Sequence, residues 1–173
     1  MITIDSQIWI YYWDSNALEH PNTMNWMKGK NKNGILFKEK IILSSIIPIE
    51  IGHNLYRLAY LRKDLDNYRV QNLLLAILST ENYQIVDIDG VLLVNTIQKM
   101  NKLTSLGIGG RDALILETMD RFNVSTIATH DKNILKLNKY KRIDPVFESP
   151  LILEKYEEFN EQIFKEKMKE FTL

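Results

Sequence analysis

Cysteine is missing altogether from these 173 residues. Its absence excludes disulfides, thiolate metal ligands and a cysteine nucleophile, and fits a reducing compartment. Long apolar runs are missing too: no stretch approaches the roughly 18 residues needed to cross a bilayer. The N-terminus lacks a charged region before an apolar core, so the chain reads as a cytoplasmic protein without a membrane partner. Neither sign of charge dominates, with 22 Lys and Arg against 22 Asp and Glu. Any contact with nucleic acid must therefore come from local patches. No Gly-x-Ser-x-Gly occurs, and His20 and His130 lack a nucleophilic partner at a recognisable spacing, which argues against a serine triad. Gly107, Gly109 and Gly110 match neither a P-loop nor a dinucleotide pattern and read as a hinge.

What is present suffices for one core. At this length, with 45% hydrophobic residues, folding removes roughly 70% of the unfolded chain's surface from water. Met1 to Ile4 reads as a strand, and the dense apolar run Ile8 to Trp13 as a buried helix. Residues 14–40, with His20-Pro21 and an Asn/Lys/Gly run, predict a mobile excursion. Ile41 to Leu43 is a second strand, after which Ser44 or Ser45 caps a helix that tolerates Pro48 in its first turn. A helix follows over about 65–78, a strand over 83–88 and a helix over 91–103. Beyond the glycines, Asp112 opens a helix ending near Asn123. A strand over 124–129, a short helix around Ile134 to Leu137 and an edge strand over 142–147 complete the pattern, Pro145 being costly in a central strand. Alternating strands and helices predict an α/β fold with a parallel sheet covered on both faces. The composition divides the chain into a domain over 1–150 and a tail over 151–173. In the tail, apolar residues from Leu153 to Phe171 lie near helical spacing and predict an amphipathic helix.

In an open parallel sheet, sites form beyond the carboxyl ends of the strands. Asp5 closes the first strand and Asp131 follows the fourth, while Glu50 and Asp112 lie early in the flanking helices. Four carboxylates crowded there repel one another unless a divalent cation neutralises them. Oxygen-only ligands favour Mg²⁺ or Mn²⁺ over zinc.

In this arrangement the sequence resembles the PIN-domain family, including the VapC-type toxins. The resemblance lies in Ile4-Asp5-Ser6, in Ile49-Glu50, in Arg111-Asp112-Ala113-Leu114-Ile115 and in Ala128-Thr129-His130-Asp131-Lys132-Asn133, and covers about residues 1 to 147. It implies a three-layer α/β/α fold with five parallel strands in the order 3-2-1-4-5. It implies a metal-dependent endoribonuclease acting on RNA phosphodiesters through Asp5, Glu50, Asp112 and Asp131, supported by Ser6, Thr129 and Asn133. It also implies a small antitoxin protein as partner and a homodimer. A toxin and an RNA-processing enzyme both fit, and so does a catalytically silent PIN fold that binds RNA or protein. A phosphotransfer receiver fits poorly, because Asp5 is followed by Ser6-Gln7 and not by a second acid.

Other groups carry competing readings. Arg111 is a candidate phosphate ligand, although an exposed arginine at a helix start is common. Trp9, Tyr11, Tyr12 and Trp13 could stack on bases but are better placed in the core. Trp26 with Lys28, Lys30 and Lys32 forms either an RNA contact or a solvated loop. His53, three residues after Glu50, has no second Glu-x-x-His to complete a di-iron site and is taken as structural.

Overall fold

The computed structural model describes residues 1–62 and 64–171. Strand β1 (Thr3–Ile4) leads into helix α1 (Ser6–Trp13). Helices α2 (His20–Met27) and α3 (Ile35–Lys38) follow, then β2 (Ile41–Ser44), α4 (Ile46–Leu61), α5 (Asn67–Ser79), β3 (Tyr83–Val86) and α6 (Gly90–Leu103). Helix α7 (Gly110–Arg121), β4 (Thr126–Ala128), α8 (Lys132–Leu135), β5 (Lys141–Asp144), β6 (Leu151–Leu153) and α9 (Glu161–Met168) complete the order.

Two parallel ladders make the sheet. β3 pairs with β2 and β1 pairs with β4, which pairs with β5. The ladders meet at Ile2, whose N–H donates to the Lys40 carbonyl and whose carbonyl accepts from Ile42 N–H, both at 3.0 Å. Read across this bridge, the strands run 3-2-1-4-5, with β6 added antiparallel outside β5. Neighbouring residues of a strand point to opposite faces. All four of Ile41, Ile42, Leu43 and Ser44 are buried, as are both residues of β1, so both faces are covered, as parallel sheets require. Among the described residues no helix is long and apolar enough to cross a membrane.

Helix starts follow their caps. Asp66 accepts from Arg69 N–H at 2.7 Å to open α5, and Asp89 from Leu92 N–H at 2.8 Å to open α6, each replacing a lost intrahelical bond. Ser45 occupies the cap position of α4, but its side chain makes no capping bond, and the hydroxyl of neighbouring Ser44 is buried without a partner among the described residues.

Three expectations need correction. The excursion over 14–40 is not a structureless loop: α2 tolerates Pro21 in its first turn, and the chain returns through a tight turn in which Gly34 N–H donates to Lys28 carbonyl at 2.9 Å. The segment expected as an edge strand is flanked on both sides, by β4 and β6; Pro145 costs nothing there because it falls just past the end of β5. The tail is a strand, a coil and a short helix, because Leu151–Leu153 complete the sheet before α9 begins. Phe164 of α9 is buried, and Phe147 packs on both Phe164 and Phe171. The tail therefore folds back over its own core.

Within this core Trp9 is buried, tilted against Trp13 and edge-on to Tyr83, while Tyr11, Tyr12 and Trp13 are half-buried against it. His53 is exposed on α4.

Candidate functional site

Because β1, β4 and β5 are parallel, their carboxyl ends share one edge. Asp5 follows β1, Thr129 follows β4 and Asp144 ends β5, and the backbone carries the register across: Asp5 N–H donates to the Ala128 carbonyl and Thr129 N–H to the Ile143 carbonyl, both at 2.9 Å. Side chains extend the same link. The Thr129 hydroxyl donates to Asp5 Oδ2 at 2.8 Å and accepts from Asp131 N–H at 3.0 Å. Ser6 Oγ lies 3.0 Å from Glu50 Oε2 and 3.3 Å from Asp5 Oδ1. One hydroxyl has one proton to donate, so it serves one of these carboxylates at a time.

Asp5 is the electrostatic centre of this edge. It is only 6% exposed. Burial pushes its pKa up to about 6, the Thr129 hydrogen bond works against that rise, and the charges of Asp112 and Glu50 add to it. Asp112, in the first turn of α7, is also raised, by burial first and by Asp131 and Glu50 besides. Glu50 comes from α4, where the side chain is 10% exposed, and Asp131 stands at the start of α8. The four acids named from the sequence therefore act on one another through space, which acids scattered on a surface would not do.

Two of the four are turned to other partners. Glu50 Oε1 lies 2.6 Å from Arg111 Nη1, and the Arg111 side chain is 72% exposed. Asp131 Oδ1 accepts from Asn133 N–H at 2.6 Å and Ile134 N–H at 3.3 Å, so it caps α8. As the side chains stand, no group of three or more His, Asp or Glu among the described residues is arranged to hold a metal ion. The donor chemistry suits a hard cation all the same: every candidate ligand is a carboxylate oxygen, and like charges already strain two of them.

The loop before α7 is fastened to the same edge. Asn133 Nδ2 donates to the Gly107 carbonyl at 3.1 Å. Gly107 has φ of +75°, and a Cβ there would meet Asn133 Nδ2 at 3.0 Å. The left-handed backbone favours glycine, and Asn133 would have to give way to a Cβ there; the segment that the sequence suggested as a hinge is a turn held to Asn133.

One pair at this edge was missed. His130 Nδ1 lies 2.7 Å from Asp144 Oδ2, and Asp144 is wholly buried. Burial works against the charged imidazole, but the Asp144 hydrogen bond and charge overcome it and raise the His130 pKa. Tyr11, Phe147 and Phe164 surround the ring. Asp144 ends a strand just as Asp5 follows one, and that position was the available signal. It was obscured because residues 142–147 read as an edge strand.

The comparisons with known proteins agree with this frame. A model of the PIN domain matches residues 2–140. No curated relative matches the chain by sequence. Among solved structures, Mycobacterium tuberculosis VapC20, a sarcin–ricin loop cleaving toxin, is similar with a TM-score of 0.61 at 13% identity, over 76% of this chain and 91% of that one. VapBC2 from Rickettsia felis, bound to a DNA fragment from its promoter, gives 0.55 at 21% identity, over 83% and 100%. FitAcB from Neisseria gonorrhoeae gives 0.54 at 18%, over 77% and 89%. At these identities the neighbours speak for the fold, and the matched model, spanning well over half of the sequence, for the family: the chain belongs to the PIN-domain family.

Proposed function

We propose that the protein is a Mg²⁺- or Mn²⁺-dependent endoribonuclease, the toxin of a toxin–antitoxin pair, with Asp5, Glu50, Asp112 and Asp131 as its metal-binding and catalytic acids. The observation that carries this reading is Asp5: a buried carboxylate at a strand end, driven up to about 6 by burial and by two further carboxylates. A divalent ion bound there would neutralise the acids and activate water for attack on phosphorus. The chain's own residues do the positioning. Thr129 orients Asp5, Ser6 donates to Glu50 or to Asp5, and Asn133 holds the turn that leads to Asp112. Arg111, exposed beside Glu50, is placed to hand its guanidinium from that carboxylate to a substrate phosphate. A small antitoxin belongs to the same reading, supported by the likeness to VapBC2 and FitAcB, and so does a homodimer, for which apolar Val91, Val94 and Ile97, exposed on α6, offer a surface.

A second reading, a silent PIN fold that binds RNA without cutting it, is favoured by one observation: Glu50 and Asp131 are engaged by Arg111 and by α8. Labelled RNA incubated with Mn²⁺, beside EDTA and Asp5→Asn controls, separates the two. Cleavage lost in both controls supports the enzyme; cleavage that survives both overturns the metal mechanism. Binding without any cleavage supports the silent module.

A further inference from the structure

The end of α8 remote from Asp131 opens on a cavity of about 300 Å³. Its floor is apolar: Leu116 is buried, Leu137 is half-buried, and Leu106 stands exposed at the mouth. Its rim is cationic. Of the 22 Lys and Arg in the chain, Lys99, Lys102, Lys136 and Lys139 line this one space. Lys99 and Lys139 are both tied to Asp120, and Lys99 also to Glu117. Lys102 and Lys136 are exposed and make no ion pair among the described residues, although the charge of Lys136 reaches the Glu161 carboxylate and helps to lower its pKa.

Two connections join this cavity to the acidic edge. Helix α8 runs from its N-cap Asp131 to its C-cap Lys136, about 8 Å by helical rise. Leu106 at the mouth adjoins Gly107, whose carbonyl accepts from Asn133. The cavity and Asp131 thus stand at opposite ends of one short helix, and the segment from Leu106 leads from the cavity to the turn that Asn133 holds.

We propose that this cavity receives an unpaired base of the RNA strand whose phosphodiester lies at the acidic edge, with Lys102 and Lys136 holding the flanking phosphates. The inference rests on the ribonuclease reading and names how that site holds its substrate. The acidic edge repels phosphate and the chain has no net charge, so affinity for RNA has to come from unpaired cations nearby. Lysine supplies a point charge for phosphate, and an apolar floor suits the face of a base. The axial rise of about 8 Å between Asp131 and Lys136 is two to three nucleotides of a stacked strand at roughly 3.4 Å each. An acidic protein helix fits less well, since its diameter of about 10–12 Å exceeds what so small a cavity admits.

The test is binding of an end-labelled single-stranded RNA to the full chain in EDTA, followed by fluorescence anisotropy across a salt series. Lys102→Glu with Lys136→Glu should weaken binding by about tenfold or more. The slope of log K against log salt should flatten by about 1.4, as removal of two lysine–phosphate pairs on a single strand requires. Leu106→Ser should weaken binding with the slope unchanged. Arg57→Glu with Arg69→Glu, an equal charge change at exposed positions of α4 and α5 that do not line the cavity, should leave affinity intact, and circular dichroism checks that each variant folds. Unaltered RNA binding in the Lys102/Lys136 variant overturns the proposal, as do an equal loss in the Arg57/Arg69 control and no RNA binding at all. So does binding of polyglutamate that depends on Lys102 and Lys136 while RNA binding does not. Cleavage of the same RNA by the wild-type chain in Mn²⁺ is scored separately: its absence sinks the nuclease reading, and the lysine result then stands as RNA binding alone.

Discussion

The Thr129 hydroxyl donates to Asp5 Oδ2 at 2.8 Å and so ties the carboxyl end of β4 to that of β1. The same oxygen accepts from Asp131 N–H. Thr129→Val removes both bonds inside a buried site and should cost about 2–3 kcal/mol. Thr129→Ser keeps the hydroxyl and loses one methyl, about 1 kcal/mol. Urea midpoints measure both, and equal losses for Val and Ser would show that the hydroxyl contributes nothing.

On the proposed reading, Arg111 competes with the bound cation for Glu50. The arginine end of the pair is largely exposed, so Arg111→Ala should change stability by less than about 1 kcal/mol. With Glu50 released and a positive charge removed, the site should take up Mn²⁺ more readily. The half-saturating Mn²⁺ concentration should fall while KM for RNA rises. A higher metal requirement in the variant would contradict this account.

Asp5 makes stability depend on pH in a definite direction. Its folded pKa, about 6, exceeds the ordinary 3.8, so the folded state holds its proton more tightly than the unfolded state. Below 3.8 both states are protonated and burial carries no charge penalty. As pH rises through about 6 the proton is lost in the folded state too, and the buried charge then costs about 3 kcal/mol. Thermal melts should show this contribution falling over that window, Asp5→Asn should flatten the fall, and Mn²⁺ should restore stability at pH 7 but not at pH 4. Identical pH profiles for the wild type and Asp5→Asn would refute the assignment.

Arg142 is wholly buried and donates to the carbonyls of Leu135, Glu154 and Glu157, at 3.0, 2.9 and 2.6 Å. It joins α8 to the segment after β6. Arg142→Met strands three carbonyls and should cost about 3 kcal/mol or more. Limited proteolysis should then cut after β6 first; unchanged resistance would mean that the tail is held by its phenylalanines alone.

The four acids could be singled out as candidates because each sits at a position that the chain marks locally. Asp5 and Asp131 follow β-branched runs, Asp112 follows glycines, and Glu50 follows a proline in a helix's first turn. His130–Asp144 was not legible, since fourteen positions part the two and the strand end at Asp144 was hidden in a segment read as running on to Phe147. The lysines around Leu106 were equally hidden, coming from α6 and from the far end of α8.

The sequence by itself determined the alternation of strands and helices and that Asp5 and Asp131 follow strands, because apolar periodicity, caps and breakers act over a few neighbouring residues. Only tertiary structure decided that Asp5 meets Thr129, that Glu50 faces Arg111, that His130 meets Asp144, and that a sixth strand extends the sheet. Those outcomes depend on burial and on distances between segments far apart in the chain, where hydrogen bonding and charge are settled by what else packs there.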